Sequence, residues 1–190
     1  MKITFIRPRM MPGIAGDALE PLGFGILAGL TPDEVELKLY DERIEAIDFT
    51  EDTDLVAISF DTYSAKRAYK ITARYKQRGM QVVVGGYHPT LCTDEALEHT
   101  DAVIVGDAED TWPRVVEDAR KGKLQRVYRS QYPPLAKLRV DRSIFAGKRY
   151  GPLRLVQFGR HLAHAESFSR MTIYSRINQQ RWNSCNELDR

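Results

Sequence analysis

Three short stretches combine residue types that chemistry uses. In Val82–Thr90 (VVVGGYHPT) three β-branched residues run into the pair Gly85-Gly86, and an imidazole follows at His88, fixed in front of Pro89. Glycine lacks a Cβ and takes positive φ, so a ligand can approach the backbone closely there. Pro89 holds His88 in extended or turn geometry, which aims its ring. Two readings of that ring stand open: contact with a ligand, or a loop-shaping hydrogen bond to backbone. Ser59-Phe60-Asp61-Thr62 ends one apolar run with hydroxyls and a carboxylate, and Gly106-Asp107-Ala108-Glu109 ends another with two carboxylates. Asp107 and Glu109 are spaced as an acid/base pair or as caps for the helix that follows.

Other reactive residues point to plainer roles. Cys92 has no assignable histidine or asparagine partner, so it reads as a small buried residue and not as a nucleophile. Cys185 is remote and differently surrounded, which argues against a disulfide framework and against a paired-cysteine metal site. His161 and His164 lack a helix and a nearby carboxylate or thiolate pair, so no metal-ligand set is assigned. Trp112-Pro113 and Tyr63, Tyr69 and Tyr75 read as helix packing and surface.

The elements that must position these residues alternate along the chain. Lys2–Arg7 is a short apolar run closed by Pro8, and an apolar helical stretch lies near Pro21–Leu30, ended by Pro32. Glu34–Tyr40 alternates charged and apolar residues, as an edge strand exposed on one face does. Leu55–Phe60, Met80–Val84 and Ala102–Val105 read as buried strands. Amphipathic helices follow at Ser64–Arg78, closed by Gly79, and at Thr111–Lys121, closed by Gly122. Strands separated by helices predict βαβ units and a flavodoxin-like, doubly wound parallel sheet of five strands. Ligands bind such a sheet beyond the carboxyl ends of its strands. The loops carrying Gly13 and Gly16, Ser59–Thr62, Gly85-Gly86 and Gly106-Asp107 all fall there and predict one rim.

Composition bounds the rest. With 190 residues, 43% of them hydrophobic, one good core can be buried, and 28% charged residues do not describe a disordered chain. Residues 1–130 carry 17 Lys+Arg against 22 Asp+Glu, while residues 131–190 carry 11 against 4. The basic extension has no aromatic-basic stacking platform, so it reads as solvated chain and not as a nucleic-acid arm. Apolar runs are too short to span a bilayer, and the start has no signal-peptide pattern; a cytoplasmic protein is expected. No dinucleotide or nucleotide-triphosphate glycine fingerprint occurs. A receiver-like or other small-ligand or interaction domain is the alternative, but Arg7 and Arg9 stand where a receiver crowds acidic residues.

The loops ISFDTYSAKRAY, VVVGGYHPT and DAVIVGDAEDTWP resemble the N-terminal cobalamin-binding domain of cobalamin-dependent radical S-adenosylmethionine proteins. The likeness covers roughly residues 1–158. It implies cobalamin as cofactor and a clamp over the strand ends formed by Ser59, Thr62, Gly85, Gly86, His88, Pro89, Thr90, Gly106, Asp107 and Glu109. It also implies a neighbouring radical barrel that holds a [4Fe–4S] cluster and S-adenosylmethionine. The D-x-H-x-x-G motif that supplies a lower axial imidazole in related domains is missing, since no histidine precedes His88. After Leu155–Arg160 the expected CxxxCxxC motif is absent too; a truncation or frame change would produce that pattern. The expected organisation is therefore a cobalamin-binding α/β domain over 1–130, a linker toward an absent barrel over 131–160, and an irregular, poorly ordered tail over 161–190. Such a module binds its cofactor and is catalytically inactive alone.

Overall fold

Alternation within each strand decides the architecture, because successive side chains point to opposite sheet faces. The computed structural model describes residues 1–13, 18–131, 138–157 and 171–175. Strands β1 (Lys2–Arg7), β2 (Glu36–Asp41), β3 (Leu55–Ser59), β4 (Gln81–Gly85), β5 (Ala102–Val105) and β6 (Val127–Arg129) form one parallel sheet in the order β2-β1-β3-β4-β5-β6. Helices α1 (Leu22–Leu30) and α5 (Trp112–Arg120) cover one face, packing on Phe5, Ala57, Val83 and Ile104. Helices α2 (Ala65–Gln77) and α4 (Thr93–His99) cover the other, packing on Ile6, Ile58, Val84 and Val103. Both faces are buried, which is why these strands are continuous apolar runs.

The flavodoxin-like parallel order is the one expected, with β2 at the edge and the switch point between β1 and β3. The sheet has six strands, not five. The added β6 is only the tripeptide VYR, paired along β5 from Val103↔Val127 to Val105↔Arg129, and is too short to show a period of its own. The GG-x-H-P-T segment is also more ordered than a loop. A one-turn helix α3 (Tyr87–Leu91) forms there, with Pro89 inside its first turn, where a missing N–H costs nothing.

Residues beyond the sheet fold back on it. The described part of the expected linker packs over α1: Asp141 N donates to Gly25 O (2.8 Å), and Phe145 is buried. Gly29 makes this possible, since a Cβ there would lie 2.2 Å from Arg139 O. A second, antiparallel sheet pairs β7 (Leu153–Gln157) with β8 (Met171–Ser175). His161, His164, Cys185 and the rim candidate Gly16 lie outside the described residues.

Candidate functional site

The carboxyl ends of β3, β4 and β5 enclose a cavity of about 60 Å³ against α1 and α5. Ala57, Val83, Ile104 and Trp112 give it apolar walls, and Gly85, Gly86 and Gly106 line it beside Ser59. Its back is rigid. Trp112 is fully buried, its indole N–H donates to Thr31 Oγ1 (2.9 Å), and its ring packs 5.4 Å from Phe5. A Cβ on Gly85 would stand 3.6 Å from Ile104 Cβ, in ordinary contact, so that position is open on its protein side. A wider depression beside Lys76, Gly79 and Asp101 lies at the amino ends of β4 and β5, on the edge opposite the loops of the rim.

Gly86 serves the protein first. Its φ is +101°, and an added Cβ would sit 2.6 Å from Phe60 O and 3.1 Å from Ser59 Oγ. The absence of a side chain therefore lets β4 close onto the end of β3, where His88 N donates to Phe60 O (3.4 Å). His88 is 6% exposed and does not line the cavity. Nδ1 lies 3.3 Å from Thr62 Oγ1, and Nε2 lies 3.2 Å from Tyr69 Oη and 3.4 Å from Glu95 Oε1, all on the α2–α4 side. The ring nitrogens thus face side chains of three neighbouring elements. Thr90 works in the opposite direction: its Oγ1 accepts from Gly106 N at 3.0 Å and ties the β4 segment to the loop after β5. Pro89 is buried between them.

The remaining candidates separate. Thr62 starts a 3₁₀ turn, Thr62–Ser64, capped by Asp61, whose Oδ1 accepts from Ser64 N (3.1 Å). Asp107 and Glu109 precede α5, whose N-cap residue is Thr111. Cys92, expected to be buried, is half-exposed between α3 and α4. One feature escaped the sequence reading. His88, Cys92 and Glu95 bring an imidazole nitrogen, a sulfur and a carboxylate oxygen within 4.8 Å of one another. The spacing H-x3-C-x2-E was the available signal, because i, i+4 and i+7 share a helical face.

At the β1–β2 side the charges neutralise one another. Arg43 pairs with buried Asp41 (2.6 Å), and Arg67 grips Glu42 through two nitrogens (2.5 and 2.9 Å). Tyr150 donates to Asp41 Oδ2 (3.1 Å); burial, with the Asp41 charge second, raises its hydroxyl well above the ordinary range. Burial, with Arg43 second, lowers the Arg7 guanidinium. Acidic groups so paired, beside a half-buried cation, do not make the divalent-ion site a receiver needs.

Large apolar side chains are exposed in the loops at the carboxyl ends of the strands. Met10 (57% exposed), Met11 (67%), Tyr63 (80%), Tyr87 (74%) and Leu91 (78%) all lie in the segments following β1, β3 and β4. They account for five of the seven large hydrophobic side chains exposed among the described residues.

Residues 14–116 match the protein family described as the B12 binding domain. Bacteriochlorophyllide d C-8(2)-methyltransferase of Chlorobaculum tepidum is 34% identical over 116 residues, covering 60% of this chain and 26% of that protein. Bacteriochlorophyllide d C-12(1)-methyltransferase of the same organism is 36% identical over 124 residues, covering 61% and 26%. The chain thus spans about a quarter of the length of these relatives. Among solved structures, the cobalamin-dependent S-adenosylmethionine radical enzyme OxsB with aqua-cobalamin bound shares the fold, with a TM-score of 0.53 and 16% identity over 65% of this chain and 19% of that one. No helix among the described residues is long and apolar enough to cross a membrane.

Proposed function

The chain belongs to the B12 binding domain family, and from that premise we propose that it holds cobalamin across the carboxyl edge of its sheet. The observation that carries this reading is the pairing of a small apolar cavity with a wide apolar rim. A cavity of about 60 Å³ is far below the few hundred Å³ of a site that encloses a whole ligand. It accepts a flat fragment only, and cobalamin has one in the aromatic base of its nucleotide tail. Ser59 offers that base a hydroxyl for a ring nitrogen, while Gly85 and Gly106 let it slide along backbone. The exposed side chains of Met10, Met11, Tyr63 and Tyr87 would hold the rest of the cofactor. Gly86 borders the cavity as well, while His88, Pro89 and Thr90 set the rim, and Thr62, Asp107 and Glu109 stand beside it.

Bound cobalamin supplies a cobalt centre that carries a methyl group. The matched relatives are named as methyltransferases, so we read the chain as the cofactor-holding part of a methyl-transfer system. Its catalytic partner is a radical barrel that provides the [4Fe–4S] cluster and S-adenosylmethionine. The two cysteines of this chain, Cys92 and Cys185, are fewer than the three or four thiolates a cluster needs, and the module is inactive without that partner. His88 is engaged by Thr62, Tyr69 and Glu95, so its imidazole would hold the rim and not serve as a ligand to the cofactor.

The test is retention of cobalamin by the full chain after desalting, read by its visible absorbance. One equivalent is expected. Reduced to cob(II)alamin, the complex should show an electron paramagnetic spectrum without axial nitrogen splitting, because the base is in the cavity and no histidine replaces it. Failure to retain cobalamin overturns the reading; nitrogen splitting that disappears in His88→Gln overturns the imidazole-free assignment.

A further inference from the structure

We propose that His88, Cys92 and Glu95 form a zinc site on the α2–α4 side of the sheet, separate from the cavity. Local geometry gathers the three donors. Cys92 N donates to His88 O (2.8 Å) and Ala96 N to Cys92 O (3.0 Å), so the helical path continues through the junction of α3 and α4. Residues at i, i+4 and i+7 of such a path share one face. One donor atom from each residue lies within 4.8 Å of the others.

The distances suit zinc after a small closure. Tetrahedral zinc with bonds of about 2.0–2.3 Å places its ligand atoms roughly 3.3–3.8 Å apart, and His88 Nε2 already stands 3.4 Å from Glu95 Oε1. The remaining motion belongs to Cys92, a free and half-exposed thiol, and to Glu95, an exposed side chain. The far side of the imidazole is anchored as metal-bound histidines are: Nδ1 faces Thr62 Oγ1 at 3.3 Å, which leaves Nε2 as the coordinating atom. Tyr69 Oη, 3.2 Å from Nε2, is placed to hydrogen-bond a ligand or to sit beside a fourth, solvent-filled position.

The donor set selects the ion. Magnesium and calcium take oxygen ligands, and two of these three donors are nitrogen and sulfur. A mixed imidazole, thiolate and carboxylate set is the chemistry of zinc, with cobalt(II) as its spectroscopic stand-in. The ion would fasten α3 and α4 to the 3₁₀ turn and α2, and so hold the segment that carries Gly85 and Gly86. This assignment does not rest on cobalamin binding.

The test uses the full chain, stripped with chelator and kept free of cobalamin. Zinc is titrated in competition with a chromophoric chelator, and cobalt(II) is added in parallel to read the thiolate-to-cobalt charge-transfer band. One zinc per chain and a clear band are expected. Cys92→Ser should remove the band, and both Cys92→Ser and Glu95→Gln should weaken zinc at least about tenfold. Both positions are at least partly exposed, so circular dichroism should stay unchanged. Cys185→Ser should retain the band. The proposal fails if the parent holds no zinc against the competitor. It fails equally if Cys92→Ser and Glu95→Gln bind as the parent does, or if Cys185→Ser abolishes the band.

Discussion

The two faces of the sheet meet at the end of β4, and the six residues from Gly85 to Thr90 serve them differently. On the α1–α5 face, Gly85 and Gly86 give up side chains, and an apolar cavity with one hydroxyl results. On the α2–α4 face, His88 is enclosed by Thr62, Tyr69 and Glu95, and a polar cluster results. Thr90 then crosses to the β5 loop. The motif is thus mainly a fastening device, which brings three loop ends to a common rim. The ligand-facing part is what the fastening leaves open. Conformational entropy explains the expense of such fastening: each loop residue fixed costs about 1–2 kcal/mol, so these three loops need specific bonds to stay in one shape.

The largest expected effect comes from separating the two glycines. Gly86→Val meets Phe60 O at 2.6 Å and must keep a φ of +101°. Backbone strain of about 1–3 kcal/mol adds to the clash, a large share of a typical domain's stability. Urea unfolding should show a large loss of stability or no folded protein. Gly85→Ala, in ordinary contact with Ile104, should change stability by less than about 1 kcal/mol yet lower cobalamin retention. Equal behaviour of the two variants in both measurements would erase the distinction drawn between them.

The strands and the strand-end rim were legible because both faces of the sheet are buried, and β-branched runs such as Val82–Val84 have no other stable reading. The side on which His88 works was not legible. Its direction depends on the one-turn helix that follows Gly86, and on Tyr69, nineteen positions away in sequence. The division of labour between Gly85 and Gly86 was hidden for the same reason: a glycine's letter does not say whether ligand or protein occupies the missing Cβ. The strand β6 was missed because three residues carry no period, and its pairing to β5 is a tertiary fact.

Thr90→Val tests the link across to β5. The substitution keeps shape but leaves Gly106 N–H without its acceptor, which costs about 1–3 kcal/mol for a buried donor and less where water reaches it. Stability should fall within that range, and hydrogen exchange at Gly106 should accelerate. An unchanged exchange rate would show that the β5 loop holds itself. Ser59→Val addresses the cavity instead: it removes the one hydroxyl and adds a branched side chain beside Gly86. Cobalamin retention should drop about tenfold, equivalent to roughly 1.4 kcal/mol, with the zinc-binding cluster undisturbed. Wild-type retention would place the aromatic base elsewhere.

The smallest effect belongs to Tyr69→Phe on the polar face. The ring stays against Phe60 (5.6 Å) and His99 (4.0 Å), and only the hydroxyl at 3.2 Å from His88 Nε2 is lost. A net cost of about 0.5–1.5 kcal/mol is expected at neutral pH, with cobalamin retention unchanged because Tyr69 does not line the cavity. The pH dependence gives the sharper readout. Burial first, then the Glu95 charge, raises the Tyr69 hydroxyl in the folded state above its ordinary value near 10. The folded protein therefore holds this proton more tightly than the unfolded chain. The resulting stability is complete below the unfolded pKa and is lost as pH rises from there through the folded value. Urea titrations above pH about 10 should show a shallower alkaline decline for Tyr69→Phe than for the parent. Parallel declines would mean that this tyrosine ionises as freely when folded as when unfolded, and that the α2–α4 face is wetter than its contacts describe.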